Sequence, residues 1–185
     1  DEDVGSNHGR TRFMKKQLLA LILAGLTAGS AHAVTLATGT METRLQGTID
    51  PTTAAGTLVD VAFSYGYFFA DNLQAGGRIA LRDDDNLTSY NAGLFAEFNL
   101  ETGSEDWLPF VEGSLGLSHN DIRGYKSSDT AVVVGLQGGV KYFIAPNVAL
   151  SGALVGEWAS EEIYADEDDL EDLDIRLQCA IRYYY

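Results

Sequence analysis

The chain is short of cysteine, of basic residues and of long apolar runs, and each shortage excludes a class of protein. Cys179 is the only cysteine among 185 residues, so no internal disulfide can form. Lys and Arg number 12 against 27 Asp and Glu, and such a surface repels nucleic acid phosphates. The apolar stretch from Leu18 to Leu26 is too short for a membrane-spanning helix. We therefore expect no disulfide scaffold, no nucleic acid partner and no helical membrane anchor.

The N-terminal region has the three parts of a secretory signal peptide. A basic start at Met14 precedes the apolar stretch, and Ala31-His32-Ala33 supplies a small-x-small exit. Cleavage is predicted after Ala33. The residues before Met14 carry no initiator Met, so we interpret them as upstream or non-native sequence. The predicted organisation is an upstream or non-native segment (1–13), a signal peptide (14–33) and one domain (34–185).

The last strand-like segment alternates apolar and polar residues without a slip from Leu173 to Tyr185. One face carries Leu173, Ile175, Leu177, Cys179, Ile181, Tyr183 and Tyr185. The other face carries Asp174, Arg176, Gln178, Ala180, Arg182 and Tyr184. A period of two puts each set on its own side of a pleated strand. Charges on one side and bulky apolar groups on the other suit a wall between lipid and a polar lumen.

The same alternation recurs seven more times, with turn-like segments between. The predicted strands begin near Thr40, Leu58, Leu73, Tyr90, Trp107, Val132, Leu150 and Leu173. Short turns at Ala70 to Asn72 and at Ile144 to Asn147 would connect two of the strand pairs. We predict an all-β fold, an eight-stranded antiparallel up-and-down transmembrane β-barrel.

Twelve ionisable residues fall within the predicted strands, all on the polar face. They are Glu42, Asp60, Glu97, Glu112, Glu157 and Asp174, with Arg44, Arg78, Arg82, Lys141, Arg176 and Arg182. Among residues 34–185, the remaining acids and both remaining bases, Arg123 and Lys126, fall in predicted loops and turns. The apolar face carries no charge, as expected where a basic side chain at the bilayer midplane costs roughly 2–4 kcal/mol. We expect the balanced charges to pair inside a narrow lumen and to plug it.

A secreted soluble sandwich or lipocalin-like barrel would show the same alternation with its apolar side inward. A solvated face tends to carry Lys, Glu and Thr, whereas this polar face is largely small, as at Gly66, Gly76, Gly93 and Gly139. Aromatic residues also cluster at strand ends, where membrane barrels carry girdles. One rim would hold Tyr67, Phe69, Phe98, Trp107, Tyr142, Tyr183 and Tyr185, and the other Tyr90 and Trp158. We therefore favour lipid on the apolar side.

With these features the chain resembles the small eight-stranded outer-membrane barrels: the transmembrane domain of outer-membrane protein A, the protein X family and the opacity-type adhesins. The most telling sequence match is Ile181-Arg182-Tyr183-Tyr184-Tyr185, which is similar to the C-terminal aromatic signal of those proteins. The resemblance implies that Ile181, Tyr183 and Tyr185 present this signal to the barrel-assembly machinery. It also implies a bacterial outer-membrane location, with outer-membrane lipid and lipopolysaccharide as partners.

For function we predict a structural or surface-interaction role, with a possible extracellular ligand, no catalysis and no cofactor. One alternative is a channel or conduit for small or hydrophobic solutes across the outer membrane, similar to the protein W family. Another is a lipid A-modifying hydrolase, because Ser118 and His119 are residue types that such enzymes use. Alternation puts these two neighbours on opposite faces, where they could not form a nucleophile and base pair.

Acidic segments offer a candidate for divalent cations. The segment from Glu161 to Asp172 is dense in carboxylates, which can collect Ca²⁺ or Mg²⁺. Its spacing lacks the Gly and terminal Glu of a helix-loop-helix calcium site. We predict a solvated, disordered acidic tip there and at Asp83-Asp84-Asp85, and no metal site.

Overall fold

The described part of the chain is built from β-strands. The computed structural model describes residues 36–53, 56–83, 87–104, 106–122, 128–161, 164–165 and 170–185. The predicted upstream segment, the predicted signal peptide and its cleavage site at Ala33 lie outside these residues. Within the described ranges, no helix is long and apolar enough to cross a membrane.

Eight strands close into a barrel. The strands of the described chain are β1 (Met41–Thr53), β2 (Gly56–Ala70), β3 (Leu73–Asp83), β4 (Leu87–Asn99), β5 (Trp107–Ile122), β6 (Ser128–Ala145), β7 (Val148–Ala159), β8 (Tyr164–Ala165), β9 (Leu170–Glu171) and β10 (Leu173–Tyr184). The barrel order is β1-β10-β7-β6-β5-β4-β3-β2, and every neighbouring pair is antiparallel. The predicted eight-stranded up-and-down barrel is confirmed.

The barrel wall is apolar outside and polar inside. Leu177 on β10 is 73% exposed, whereas Arg182 on the same strand is 1% exposed. Leu94 on β4 and Leu136 on β6 are each 70% exposed. A protein dissolved in water would bury such side chains and solvate the arginine, so the soluble alternative is wrong. The exterior instead suits the hydrocarbon of a bilayer.

Two tight turns mark one end of the barrel, which we call the lower rim; the opposite end is the upper rim. β2 and β3 are joined by Asp71-Asn72, and β6 and β7 by Pro146-Asn147. Asn72 has a φ of 60°, which Asn tolerates because its short side chain can hydrogen-bond locally. Both turns lie within the segments predicted for them.

The strands run further toward the upper rim than predicted. β6 has 18 residues, whereas a tilted strand crosses a bilayer in about 9–11. The extensions include Asp50, Asp83, Asp121 and Asp129, which the charge pattern assigned to loops. The apolar alternation ends where the lipid-facing wall ends, so the sequence carries no hydrophobic signal for the extra length.

A separate hairpin lies in the acidic segment that follows β7. β8 pairs with β9, with Tyr164 opposite Glu171 and Ala165 opposite Leu170. The prediction of a disordered tip is wrong for these residues, because it weighed only the charge of a run that uncharged residues interrupt. Residues 162–163, 166–169 and 84–86 lie outside the described part of the chain.

Small inward residues let the wall curve tightly. Gly66 lies opposite Gly76, and Gly93 opposite Gly116. A Cβ at Gly76 would lie 2.1 Å from the carbonyl oxygen of Tyr65. Backbone, rather than a flexible side chain, occupies that space, so no larger residue fits there without moving the wall. These glycines are required by the curvature of a narrow barrel.

Candidate functional site

The lower half of the lumen is filled by an ion cluster, which we call the lower cluster. Its members, none more than 1% exposed, are Glu42, Arg44, Glu97, Glu112, Lys141 and Arg182. Glu97 is at its centre, with carboxylate oxygens 2.6 Å from Lys141 Nζ and 2.6 Å from Arg182 Nη1. Arg44 Nη1 lies 2.6 Å from Glu112 Oε2. The equal numbers of carboxylates and cations make the cluster formally neutral.

Neutral side chains add hydrogen bonds to the lower cluster. Gln74 Nε2 donates to Glu97 Oε1 at 2.7 Å and to Glu42 Oε2 at 3.0 Å. Asn99 Nδ2 donates to Glu97 Oε1 at 3.2 Å. Such bonds reduce the cost of burying charge, although Arg44 Nε, Arg44 Nη2 and Glu112 Oε1 have no hydrogen-bond partner among the described residues. Because the partners come from six strands, the cluster also ties distant parts of the wall together.

A second ion cluster, the upper cluster, lies toward the upper rim. Its members are Asp60, Arg78, Arg82, Glu157, Asp174 and Arg176. Arg176 is central: its Nη2 lies 2.8 Å from Glu157 Oε2, its Nε 3.4 Å from Asp60 Oδ2, and its Nη1 pairs with Asp174. Arg82 Nη1 reaches Asp174 Oδ2 at 3.2 Å. This cluster is also neutral, and it is less deeply buried than the lower one.

Arg78 connects the two clusters. Its Nη1 lies 3.7 Å from Glu112 Oε1 and its Nη2 3.7 Å from Glu157 Oε1. Arg78 Nη2 also donates to Ser114 Oγ at 3.0 Å. All twelve residues of the predicted interior charge network therefore face the lumen, and each has an ion-pair partner there. Their division into two clusters follows from which strands face each other across the lumen.

An apolar layer lies below the lower cluster, and sequence reasoning missed it. Its buried members are Leu36, Phe68, Leu108, Ala149 and Tyr184, with Phe143 packed against them. Lys141 Nζ lies 5.9 Å from the ring centre of Phe68, 5.6 Å from that of Tyr184 and 5.4 Å from that of Phe110. Cations over ring faces are attracted by the ring quadrupole. The sequence does contain a signal for this layer, because the odd or even position of each ring within its strand places it on the charged face.

Residues 36–40, which we call the N-terminal strap, cross the lower rim and insert Leu36 into this apolar layer. Leu36 N donates to Asn72 Oδ1 at 3.0 Å, and Asn72 N donates to the Leu36 carbonyl at 2.8 Å. Thr38 N and Thr38 Oγ1 each donate to Asp71 Oδ1 at 2.8 Å. These bonds, the backbone one foremost, lower the pKa of the Asp71 carboxyl below its usual value. Nothing in the pattern of alternation indicated the strap.

A small cavity remains in the upper half of the lumen. Its volume is about 50 Å³, and its lining includes Asp60, Arg78, Arg82, Glu157 and Arg176. A single water needs roughly 10–15 Å³, so the cavity has room for a few waters. The lumen is thus filled by side chains at its lower half and partly open at its upper half.

The predicted assembly-signal residues lie on the outside of the barrel, beside the junction of β1 and β10. Ile181 and Tyr183 are each 48% exposed, and Tyr185 is 56% exposed. The Tyr183 and Tyr185 rings are 5.7 Å apart. Met41 N donates to the Tyr185 carbonyl at 2.8 Å, so the end of the chain pairs with the start of β1. Recognition by the assembly machinery stays a prediction.

The hydrolase candidates are separated by the wall. Ser118 is buried in the lumen at 3% exposure, whereas His119 is exposed and its Nδ1 lies 3.2 Å from Thr130 Oγ1. Cys179 is a free thiol on the exposed outer face. Within the described ranges, no three His, Cys, Asp or Glu side chains are placed to hold a metal ion. Half of the acidic segment, residues 162–163 and 166–169, lies outside those ranges, so the prediction about its metal binding remains a prediction.

Solved structures with a similar fold include outer-membrane β-barrels. The N-terminal β-barrel domain of Pseudomonas aeruginosa OprF superposes with a TM-score of 0.58 at 17% identity, over 81% of this chain and 100% of that one. Neisserial surface protein A gives 0.59 at 17% identity, over 81% and 98%. The chain has the fold of the small outer-membrane β-barrels. No protein-family model and no curated protein matches its sequence.

A designed protein shares the same fold. A de novo transmembrane β-barrel superposes with a TM-score of 0.50 at 16% identity, over 82% of this chain and 100% of that one. At such identities the similarity shows the fold alone. It indicates that strand alternation and barrel closure, rather than particular residues, are what these chains have in common. Any role for this barrel must come from its own lumen and surface.

Proposed function

We propose that this chain is a barrel of the bacterial outer membrane with a structural or surface-interaction role, and that its lumen does not conduct. The observation that carries the proposal is the lower cluster, whose six charged side chains are all at 0–1% exposure across the lumen. The apolar layer below it adds a second closure. A solute travelling along the barrel axis would meet both.

The ion pairs resist opening because their side chains are buried at this level. Removing one partner of a buried ion pair costs about 3–5 kcal/mol, since the other charge is left uncompensated. Glu97 alone contacts Lys141 and Arg182 at 2.6 Å, so moving it disturbs several pairs at once. A spontaneous opening of this size is rare, which supports a closed rather than a conducting barrel.

The outer surface and the strand extensions would carry the interaction role. Exposed leucines and aromatic rims suit contact with outer-membrane lipid, and lipopolysaccharide is the lipid that the outer leaflet would offer. Strands that continue beyond the apolar belt raise a β-scaffold above the bilayer, where an extracellular ligand could bind. We propose that the lower rim faces the periplasm, because both ends of the barrel domain and its short turns lie there.

Conductance tests this proposal. We expect the protein, reconstituted in a planar bilayer after its heat-modifiable migration has verified folding, to show no large steady conductance at moderate voltage. The matched comparison is a variant that lacks two central charges of the lower cluster, Glu97→Gln with Arg182→Gln, for which conducting events should become more frequent. A large, steady conductance from the unmodified protein would refute the closed lumen.

A conduit for small or hydrophobic solutes is the second candidate function, and the cavity in the upper half of the lumen favours it. That cavity is lined by polar side chains and ends below at Arg78, where the ion pairs of the lower cluster begin. Solute uptake by vesicles that contain the protein, compared with empty vesicles, would distinguish the two functions. Uptake that depends on the protein would favour the conduit.

A further inference from the structure

The residues that surround Leu36 come from strands far apart in the chain. Phe68 lies on β2, Leu108 on β5, Ala149 on β7 and Tyr184 on β10. Ala149 and Tyr184 lie on the paired strands β7 and β10, whereas Phe68 and Leu108 each come from another part of the wall. β2 and β10 approach each other only when β1 pairs with β10 and closes the barrel. The socket for Leu36 therefore exists only in the closed barrel.

The hydrogen bonds of the N-terminal strap join it to β2 and to the β2–β3 turn, whereas its apolar contact extends to other strands. Leu36 bonds to Asn72 in both directions, Thr38 bonds to Asp71, and Gly39 N donates to the Phe68 carbonyl at 2.8 Å. All these partners belong to β2 or to the β2–β3 turn. The apolar cluster that contains the Leu36 side chain also includes Phe68 of β2, and it adds residues of β5, β7 and β10. The strap thus fastens one hairpin to the opposite wall.

Gly39 lets the strap take this path. Its φ is +94°, a backbone conformation that residues with a side chain rarely adopt. The strap turns there and enters β1, which begins at Met41. Leu36 itself is only 7% exposed although it lies at the rim of the barrel. The strap is therefore a built contact rather than a segment resting on the surface.

We propose that residues 36–40 are a latch that docks last and locks the closed barrel by slowing its unfolding. The socket is incomplete until β1 meets β10, so the latch contacts form after the barrier to folding has been crossed. A contact absent from the transition state slows unfolding and leaves the folding rate unchanged. This inference concerns how long the barrel persists, and it goes beyond the proposed role of the lumen and surface.

Kinetics of the full chain test the latch. In vesicles, we expect Leu36→Ala to raise the unfolding rate at least about 10-fold, because a large buried side chain is removed from a packed site. The folding rate should change by less than about 2-fold. Both rates can be followed by heat-modifiable gel migration after dilution into or out of urea. The matched control is Leu100→Ala, a half-buried leucine at the same rim but outside the socket, with little expected effect on either rate.

A second variant keeps the test available if Leu36→Ala does not fold. Thr38→Val removes the hydroxyl bond to Asp71 and keeps the side-chain shape, so we expect a smaller rise in the unfolding rate with the folding rate unchanged. Two results would overturn the latch. One is a folding rate that slows as much as unfolding accelerates, which would put the strap in the folding nucleus. The other is an unfolding rate for Leu36→Ala equal to that of Leu100→Ala.

Discussion

The lower cluster makes a quantitative prediction about Glu97. This carboxylate lies within 2.6 Å of both Lys141 and Arg182, 3.4 Å from Arg44, and accepts a hydrogen bond from Gln74 at 2.7 Å. Glu97→Gln keeps the size of the side chain and removes its charge. Three cations would then face two carboxylates in a part of the lumen that water does not reach. We expect the free energy of unfolding to fall by about 3–5 kcal/mol, the cost of an uncompensated buried charge.

The same cost should largely disappear when charge balance is restored. Lys141→Met alone leaves three carboxylates facing two cations, so it should also cost about 3–5 kcal/mol. The double variant, Glu97→Gln with Lys141→Met, is balanced again and should cost several kcal/mol less than the sum of the two single changes. Pairwise coupling between contacting residues is usually about 0.5–3 kcal/mol, so a buried pair should lie at or above the top of that range.

Urea titration of the barrel in thin lipid vesicles measures these differences, with tryptophan fluorescence as the signal and gel migration as a second probe. The control is Asp106→Asn, an exposed acid at the lower rim, which should change the free energy of unfolding by less than about 0.5 kcal/mol. The reasoning fails if Glu97→Gln behaves like this control. It also fails if the two single changes add without coupling, because the charges would then not be acting as a cluster.

Two further predictions concern the exterior and the strap. Leu94→Arg places a charge on the lipid-facing wall, so it should lower the free energy of unfolding by about 2–4 kcal/mol. Tyr90→Arg lies on the same strand but is predicted near the interface, so it should lower this free energy by only about 0–1 kcal/mol. Equal costs for the two variants would argue against a bilayer around the barrel. Because the hydrogen bonds from Thr38 lower the pKa of Asp71, the ionised carboxyl stabilises the docked strap at pH values above the ordinary pKa of an Asp side chain. This stabilisation should be lost as pH falls through the lowered pKa. Acid should therefore accelerate the unfolding of the native chain more than it accelerates the unfolding of the Asp71→Asn variant. Equal acceleration of the two proteins would contradict this prediction.

The faces of the strands were predictable because alternation is a local property. Each residue's side of the wall depends only on whether its position is odd or even within its strand. Parity therefore put Arg44 and Arg182 inside and Leu177 outside before any partner strand was known. Parity also placed Phe68 and Tyr184 on the same face as the charges. Because a polar lumen was expected, an apolar layer formed by their rings was not predicted.

The lengths of the strands and the partners within the lumen were not predictable in the same way. Asp83 and Asp129 lie in strands although nothing apolar marks them, because main-chain pairing can continue where the lipid contact has ended. Arg78 contacts Glu112 and Glu157 because three strands face one another across the lumen. Register and shear decide such meetings, and neither can be read from one strand alone.

The sequence by itself determined the two-sided wall, because a period of two puts apolar residues on one face of each strand and twelve charges on the other. Both sets of side chains can be removed from water only when lipid lies outside and the chain closes on itself. Tertiary structure alone decided how the charges separate into two neutral clusters, and that Leu36, preceding the first strand, enters a socket built from β2, β5, β7 and β10. The physical reason is that alternation acts between neighbours in the chain, whereas ion pairing and socket formation act across a closed barrel, between residues whose separation is fixed only once β1 has met β10.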